Sequence, residues 1–279
     1  MQKVWFITGC SKGFGRTLVE ELLKRTSDSI IITARELSAI EHFSKKYPDR
    51  VLTQQLDVTN EEDISCSIKA GIKKFQRIDV LVNNAGYGLV GALEECSMGA
   101  IRRIFETNVF GPMCLIKKLL PYMRLKKSGH IINISSVAGL VAGPGQSLYN
   151  STKFALEGLS EGLYPELASF GIKTTLIEPG PFRTDFADPS SLHTAPPHTE
   201  YKDTPADQVR AYVKKINKKQ QGDPVKAANI IIEISKMDKP PLRLPLGAIA
   251  KDRIEEKFKK QEEEFLQYDS LSRSADFSL

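Results

Sequence analysis

Short apolar runs rich in valine and isoleucine alternate along this chain with longer stretches whose apolar residues recur at helical spacing. Runs such as KVWFIT, SIIITA and HIINISS have the length of strands, whereas GRTLVEELLKRT and EEDISCSIKAGIKKF have the period of amphipathic helices. Strands that alternate with helices predict a parallel sheet covered by helices on both faces, a three-layer αβα arrangement. With PLRLPLG near the end of the chain, these runs predict about seven strands.

The alternation continues to about residue 180 without a change in composition, which predicts one domain over residues 1–279. The stretch that follows is rich in proline and small polar residues. We expect residues 181–222 to form a mobile connection that closes over a ligand as a lid. A highly charged helix is expected at about 249–268.

The composition argues against several functional classes. The formal net charge of +5 arises from 39 basic and 34 acidic residues that are mixed along the chain, without the basic block that binds nucleic acid or a membrane surface. No apolar run approaches the roughly 18 residues of a membrane span, and the first residues lack the apolar core of a signal peptide, so we expect a soluble cytoplasmic protein. Four widely spaced cysteines fit a reducing compartment, and the four histidines lack the spacing of a metal site, so no metal is expected.

A glycine-rich turn, TGCSKGFG, joins the first predicted strand to the first predicted helix. Gly9, Gly13 and Gly15 allow backbone N–H groups to approach a pyrophosphate, whose charge the positive end of the helix dipole stabilises. The G-x-x-x-G-x-G spacing differs from the commonest dinucleotide fingerprint, and glycines alone also fit a simple turn. Their place between a strand and a helix favours a nucleotide.

Two cations indicate which nucleotide would bind. Arg35 ends the second predicted strand about 20 residues after the glycine turn, where an acidic residue would bind the ribose 2′-hydroxyl of NAD, and Lys12 lies inside the turn. Both cations attract a 2′-phosphate, and arginine can bond it bidentately, so NADP(H) is the predicted cofactor. Glu36 weakens this preference, and two solvated surface cations remain the alternative.

Tyr149 and Lys153 lie four residues apart at the start of a predicted helix, so their side chains share one face. Taken alone, this spacing also fits a surface aromatic residue beside a solvated lysine. The motifs TGCSKGFG, LDVT, NNAG, NVFG, INISSVAG, YNSTK and PGPFRT, however, occur in this order. With them, residues 3–185 resemble the classical short-chain dehydrogenase/reductases, and look most similar to the branch of hydroxysteroid and retinol dehydrogenases. The resemblance implies a Rossmann-like, doubly wound sheet.

The resemblance also implies four catalytic residues. Tyr149 would be the general acid and base, with Lys153 as its activator and as a ligand of the nicotinamide ribose. Ser136 would bind the carbonyl group, and Asn108 would position a water in the proton path. A free tyrosine has a pKa of about 10, and a neighbouring ammonium together with an oxidised nicotinamide is expected to lower that pKa towards the working range.

Ligand contacts follow from the same resemblance. The residues expected to contact the cofactor are Thr8, Gly9, Ser11, Lys12, Gly13, Phe14, Gly15, Arg35, Asp57, Val58, Asn84, Ala85, Gly86, Asn108, Tyr149, Lys153, Pro179, Gly180, Phe182 and Thr184. The residues expected to contact the substrate are Ser136, Val137, Ala138, Gly143, Tyr149, Phe182 and Phe186. Such walls indicate an apolar or bulky molecule.

Together these features predict an NADP(H)-dependent oxidoreductase that interconverts a carbonyl group and an alcohol. A relative that catalyses epimerisation or dehydration, and a catalytically silent sensor or scaffold that binds NADP, remain as alternatives. The presence of Ser136, Tyr149 and Lys153 argues against the silent protein, because binding alone does not need all three. Relatives assemble through the helices that include residues 98–126 and 148–169, and we expect a homodimer or homotetramer.

Overall fold

The computed structural model describes residues 2–277. The strands in this range are β1 (Val4–Ile7), β2 (Ser29–Ala34), β3 (Val51–Gln55), β4 (Val80–Asn83), β5 (Gly88–Val90), β6 (Gly129–Ile134), β7 (Ile172–Pro179), β8 (Leu192–Thr194) and β9 (Arg243–Leu246). The α-helices are α1 (Gly13–Arg25), α2 (Glu41–Lys46), α3 (Glu61–Phe75), α4 (Met98–Phe105), α5 (Gly111–Lys126), α6 (Ser147–Ala168), α7 (Pro205–Ile216), α8 (Pro224–Lys236), α9 (Ala248–Gln267) and α10 (Asp269–Arg273). No helix among them is long and apolar enough to cross a membrane.

Seven strands form one parallel sheet in the spatial order β3-β2-β1-β4-β6-β7-β9. Because β1 lies between β2 and β4, the chain builds the sheet towards one edge and then returns to build it towards the other. A crevice opens at such a switch point, outside the carboxyl ends of the strands. The remaining strands, β5 and β8, pair in parallel in a separate small sheet.

Successive residues of each central strand contribute to two apolar cores, one on each face of the sheet. Trp5 of β1 packs with α1 and α8 on one face, while its neighbour Phe6 packs with α3, α5 and α6 on the other. In β2, Ile32 packs in the same core as Trp5, and Ile31 packs in the same core as Phe6. Strands buried on both faces read as continuous apolar runs, which made them recognisable. The predicted Rossmann-like, three-layer fold with seven strands is confirmed.

The segment of residues 181–222 is more regular than its proline content predicted. It contains β8 and α7 and forms short single turns at Asp185–Ala187 and Thr199–Tyr201. Helix α7 starts at Pro205, and proline is well suited to the first position of a helix, where no N–H bond is lost. The prolines therefore mark the start of an element as well as the connections around it.

Candidate active site

A cavity of about 660 Å³ lies outside the carboxyl ends of β1, β4 and β6. It extends from the glycine turn after β1 to Tyr149 on α6 and on to the 181–222 segment. The predicted site residues that line it are Gly9, Ser11, Lys12, Gly13, Phe14, Arg35, Asp57, Val58, Asn84, Ala85, Gly86, Ser136, Val137, Ala138, Tyr149, Lys153, Pro179, Gly180, Phe182, Thr184 and Phe186. Thr8, Gly15, Asn108 and Gly143 are not among the lining residues. Across residues 2–277, no three His, Cys, Asp or Glu side chains gather to hold a metal ion.

The glycine turn is packed against the NNAG segment after β4. Oγ1 of Thr8 accepts hydrogen bonds from the backbone N–H groups of Asn84 at 3.0 Å and Ala85 at 2.9 Å. Nδ2 of Asn84 donates to the carbonyl oxygens of Thr8 at 2.8 Å and Gly9 at 3.0 Å. A Cβ atom at Gly15 would lie 2.5 Å from that Nδ2. Thr8 and Gly15 therefore pack against the NNAG segment and shape the turn there, which explains why they do not line the cavity.

The first turn of α1 presents backbone N–H groups towards the cavity. The helix begins at Gly13, and no side chain caps its N-terminus. The first N–H groups of a helix have no partner within the helix, and together with the helix dipole they bind phosphate. This end of the cavity therefore fits a pyrophosphate.

Lys12 and Arg35 place two cations at the same end of the cavity, which Asp57 and Asp185 also line. Nζ of Lys12 donates to Oγ of Ser190, so this lysine also connects the glycine turn to the 181–222 segment. Asp57, a predicted cofactor residue, uses Oδ1 to accept hydrogen bonds from N and Oγ1 of Thr59 at 2.9 and 2.8 Å. Its carboxylate thus stabilises the turn after β3 at the cavity wall.

Asn108 lies in a π-helical turn, Glu106–Phe110, that joins α4 to α5. Turns of this kind occur often at functional sites. Oδ1 of the buried Asn108 accepts from N of Tyr87 at 3.1 Å, while Nδ2 donates to O of Tyr87 at 2.9 Å and to Oγ1 of Thr152 at 3.2 Å. A Cβ atom at Gly86 would lie 3.0 Å from Oδ1 of Asn108 and 3.9 Å from Nζ of Lys153. Asn108 and Lys153 therefore meet beside Gly86, and the water-positioning role of Asn108 stays a prediction.

Ser136, Tyr149 and Lys153 converge at the end of β6. Oγ of Ser136 accepts a hydrogen bond from N of Ala138 at 3.1 Å, which orients the hydroxyl. Nζ of Lys153 lies 5.8 Å from the ring centroid of Tyr149 and donates to O of Ile134 at 2.8 Å. All three predicted residues line the same cavity, so the arrangement allows a hydroxyl, a phenol and an ammonium to act on one ligand.

Burial controls the protonation of both ionisable groups. It raises the pKa of Tyr149 to about 12, and the Ser136 hydroxyl has the smaller, opposite effect. Burial also lowers the pKa of Lys153 to about 8, against the negative charge of Glu157, which raises it. The predicted lowering of the tyrosine pKa requires the oxidised nicotinamide as well as the ammonium, and it stays a prediction; in the chain by itself, burial raises that pKa. At pH 7 the phenol is neutral and the ammonium is mostly charged.

A buried chain of polar side chains behind the site was not predicted. Nδ2 of Asn83 donates to Oδ1 of Asn133 at 2.8 Å, and Nδ2 of Asn133 donates to Oγ of Ser160 at 2.8 Å. These bonds tie β4 and β6 to α6, the helix that carries Tyr149 and Lys153. Asn133 interrupts the apolar run HIINI, and this interruption was the available signal.

Gly143 does not line the cavity, and its predicted contact with the substrate stays a prediction. Nδ2 of Asn150 donates to O of Ala138 at 2.9 Å, and Oδ1 of Asn150 accepts from N of Gly143 at 3.3 Å. Asn150 thereby holds this loop against α6, and Val141 lines the cavity where Gly143 was expected. A side chain that binds two backbone groups of a loop cannot be recognised from spacing alone.

Aromatic contacts connect the 181–222 segment to the rest of the cavity. The rings of Phe182 and Phe14 have centroids 5.1 Å apart, and those of Phe186 and Tyr149 have centroids 5.6 Å apart. The segment therefore lies over both the glycine turn and the phenol. Lining residues that were not predicted include Tyr87, Gln146, Leu192, His193, Tyr212, Val213, Ile216, Ile249 and Arg253.

The sequence model of the family described as short chain dehydrogenase matches residues 3–194. The chain belongs to the classical short-chain dehydrogenase/reductase family. This short-chain dehydrogenase/reductase is similar to Oxidoreductase BOA17 of Botryotinia fuckeliana (strain B05.10), with 39% identity over 251 residues that cover 88% of this chain and 89% of the relative.

Solved structures of the family agree with this placement. A short-chain dehydrogenase from Streptomyces avermitilis superposes with a TM-score of 0.92 and 40% identity, over 99% of this chain and 100% of that chain. The structure of ElxO with NADP bound gives a TM-score of 0.71 and 30% identity, over 88% of this chain and 97% of ElxO. The chain is thus an oxidoreductase of the short-chain dehydrogenase/reductase family.

Proposed function

We propose that this short-chain dehydrogenase/reductase is an NADP(H)-dependent enzyme that interconverts a carbonyl group and an alcohol on an apolar or bulky small molecule. The proposal rests on the convergence of Ser136, Tyr149 and Lys153 in one cavity that begins at a glycine turn. General acid–base catalysis requires such a meeting of a proton donor, a group that orients the substrate and a place for the cofactor.

The polar end of the cavity fits the dinucleotide. A Cβ atom at Gly9 would lie 2.9 Å from Cα of Ala85, and the backbone there has a φ of +71°, so this corner of the turn requires glycine. The N–H groups of the first turn of α1 would bind the pyrophosphate, and Lys12 and Arg35 would bind the 2′-phosphate that distinguishes NADP from NAD. ElxO, to which this chain is similar, was solved with NADP bound, which supports the assignment.

When bound, NADPH supplies the hydride, and the side chains supply the proton. Oγ of Ser136 would hold the carbonyl oxygen by a hydrogen bond, and the hydroxyl of Tyr149 would protonate that oxygen. The raised pKa of Tyr149 keeps the phenol protonated at neutral pH, as an acid must be in the direction of reduction. The ammonium of Lys153 would then stabilise the negative charge left on the phenol oxygen.

The substrate end of the cavity supports an apolar molecule. Val137, Val141, Val213, Ile216 and Ile249 contribute aliphatic side chains to its walls. Ligand sites of this kind use a mostly apolar lining with few polar groups to orient the ligand. The 181–222 segment would act as the lid, because its aromatic side chains already contact both ends of the cavity.

Exposed aromatic side chains support the expected homodimer or homotetramer. Phe110 in the π-helical turn is 51% exposed, and Phe154 and Tyr164 on α6 are 44% and 45% exposed. Large apolar side chains on adjoining helices are typical of an interface between subunits. Light scattering of the purified protein tests this expectation, and a monomeric mass would contradict it.

The decisive experiment mixes purified protein with NADPH and a panel of ketones and aldehydes and follows the loss of NADPH absorbance. Tyr149→Phe is expected to reduce turnover by about 100-fold or more while NADPH fluorescence still reports binding. Unchanged turnover in Tyr149→Phe would overturn the assignment of the acid. NADPH binding by the wild type without turnover of any compound would favour a sensor or scaffold, and turnover without net reduction would favour an epimerase or dehydratase.

A further inference from the structure

Two buried carboxyl groups lie behind Lys153, outside the lining of the cavity. Glu157 follows Lys153 by one turn of α6, and Glu178 lies on β7. Their residues are only 4% and 0% exposed. Among the described residues, none of the four carboxyl oxygens has a hydrogen-bond partner. Two carboxylates in this state would be costly, because burial removes them from bulk water and no described side chain donates a hydrogen bond to them.

The positive charge nearest to this pair is insufficient for two carboxylates. Nη2 of Arg243, on β9, lies 3.4 Å from Oε2 of Glu157, and its Nε lies 3.7 Å from Oε1 of Glu178. The same Nη2 is closer to a third acid, at 2.8 Å from Oε2 of Glu161. One guanidinium therefore faces three carboxyl groups, of which Glu161 is largely exposed.

The remaining groups that face the pair all favour a charge on Glu157. Lys153 lies on the same side of α6, one turn before it. Ser135, which follows β6, faces it as well, because a Cβ atom at Gly139 would lie 2.7 Å from Oγ of Ser135 and 3.1 Å from Oε1 of Glu157. Within residues 2–277, the charged groups that influence Glu178 are Glu157 and Arg243.

We propose that Glu157 and Glu178 hold one proton between them, carried by Glu178, and that the single negative charge on Glu157 keeps Lys153 in its ammonium form. A shared proton lets one carboxyl group donate to the other, which gives partners to oxygens that otherwise have none. Both glutamates are thus positioning residues that act through Lys153. Their effect on catalysis rests on the function proposed above, whereas the shared proton does not.

Protonation energetics agree with this geometry. Burial and the charge of Glu157 raise the pKa of Glu178 to about 8, so this acid keeps its proton at neutral pH. Burial also raises the pKa of Glu157, while Ser135 and Arg243 oppose that change. The charge of Glu157 in turn raises the pKa of Lys153, which burial alone would lower further.

The shared proton is tested on the ligand-free chain with Glu178→Gln, whose amide resembles the protonated acid. In unfolded wild-type protein this glutamate loses its proton near pH 4.3, whereas in the folded state it keeps it up to about pH 8. The unfolded state therefore binds about one proton fewer in this window, and wild-type stability falls as the pH rises. The variant lacks this dependence, so its melting temperature relative to wild type is expected to increase steadily from pH 5 to pH 8.

Glu161→Gln is the matched control, because Glu161 contacts the same Arg243 from the exposed end of the helix face. Its melting temperature is expected to parallel the wild-type profile. A Glu178→Gln profile that also parallels the wild type would overturn the shared proton. This result requires no substrate and stands whether or not the protein reduces any carbonyl compound.

The influence on Lys153 is tested by the pH dependence of kcat/KM in Glu157→Gln. Loss of the neighbouring charge is expected to lower the pKa of Lys153 by about one pH unit, so that activity at pH 8 falls about five-fold while activity at pH 6 changes little. Glu161→Gln is expected to retain the wild-type profile. A Glu157→Gln profile identical to that of Glu161→Gln would overturn this influence.

Two further outcomes remain informative. Should Glu157→Gln fail to fold, Glu157→Asp, whose shorter side chain holds the charge farther from Lys153, is expected to lose more kcat/KM at pH 8 than at pH 6; an equal change at the two pH values would contradict the influence on Lys153. Should the wild type reduce no compound while the Glu178→Gln melting profile diverges from wild type as expected, the proposed function fails and the shared proton holds.

Discussion

The buried carboxylate of Glu95, just before α4, is ion-paired with the guanidinium of Arg210 on α7. Glu95 also accepts hydrogen bonds from N of His198 at 2.9 Å and from N of Ala92 at 2.6 Å. Burial would raise the pKa of Glu95, but these N–H groups and Arg210 hold it below its usual range. One side chain thus attaches the 181–222 segment to the body of the protein at two places.

Removal of Arg210 is expected to loosen that segment. Arg210→Met leaves Glu95 as a buried charge without its cation, which typically costs about 3–5 kcal/mol. We expect faster proteolysis between residues 181 and 222 and a raised KM for the substrate. Glu94→Gln is the control, because Glu94 is exposed and bonds Tyr201 at the surface, where such contacts contribute about 1 kcal/mol or less. Equal protease resistance in both variants would contradict the attachment.

A methyl group at Gly15 is expected to disrupt the glycine turn. Its Cβ atom would lie 2.5 Å from both Nδ2 of Asn84 and O of Gly9, so Gly15→Ala should cost about 1–3 kcal/mol and abolish NADPH binding. Gly158→Ala is the matched control on α6. A Cβ atom there meets nothing within 4 Å, and the helix should gain about 0.5–1 kcal/mol. Chemical denaturation measures both changes, and a neutral Gly15→Ala would show that the turn can move aside.

Arg35→Ala is expected to reduce the preference for NADPH over NADH. A hydrogen bond from a guanidinium to a phosphate contributes about 1.5–3 kcal/mol, so NADPH affinity should fall by roughly 10- to 100-fold. NADH affinity should change little, because NADH has no 2′-phosphate. Arg16→Ala removes a cation of α1 that pairs with Glu20 and does not line the cavity, and it should leave both affinities unchanged. Equal losses for the two nucleotides in Arg35→Ala would contradict the proposed contact.

His130 is expected to make the fold sensitive to acid. Burial lowers its pKa to about 3, and the charges of Lys173 and Lys3 act in the same direction. An unfolded histidine binds a proton below about pH 6.5, so stability should fall as the pH drops from 6.5 towards 3, by up to about 1.4 kcal/mol per pH unit. In His130→Gln this loss is absent, so the stability advantage of the wild type should shrink on acidification. An advantage that stays constant between pH 6.5 and 4.5 would show that His130 does not contribute.

Much of this architecture was predictable because the deciding signals are local. Strands such as SIIITA are buried on both faces and therefore read as unbroken apolar runs, and a glycine turn between strand and helix is recognisable from its own residues. Ser136, Tyr149 and Lys153 were predicted from the family resemblance that the ordered motifs carry, and the fold brings them to one cavity.

What escaped prediction depends on contacts between distant segments. Glu157 and Glu178 meet only because α6 packs beside β7, and a glutamate in either segment reads as a solvated residue. The position of Gly143 depends on the side chain of Asn150, and the raised pKa of Tyr149 depends on how completely the fold removes water from it. Spacing along the chain shows neither which distant segments pack together nor how deeply a side chain is buried.

The proposed acid and its neighbours on α6 and much of the proposed substrate wall belong to separate parts of the chain. Helix α6 is one continuous 22-residue element, and it carries Tyr149, Lys153 and Glu157 at successive turns. Much of the apolar wall comes instead from residues beyond 181. Substitutions or whole-loop grafts in that later region can therefore retarget the protein to new compounds without rebuilding its chemistry, which makes it a practical starting point for directed evolution.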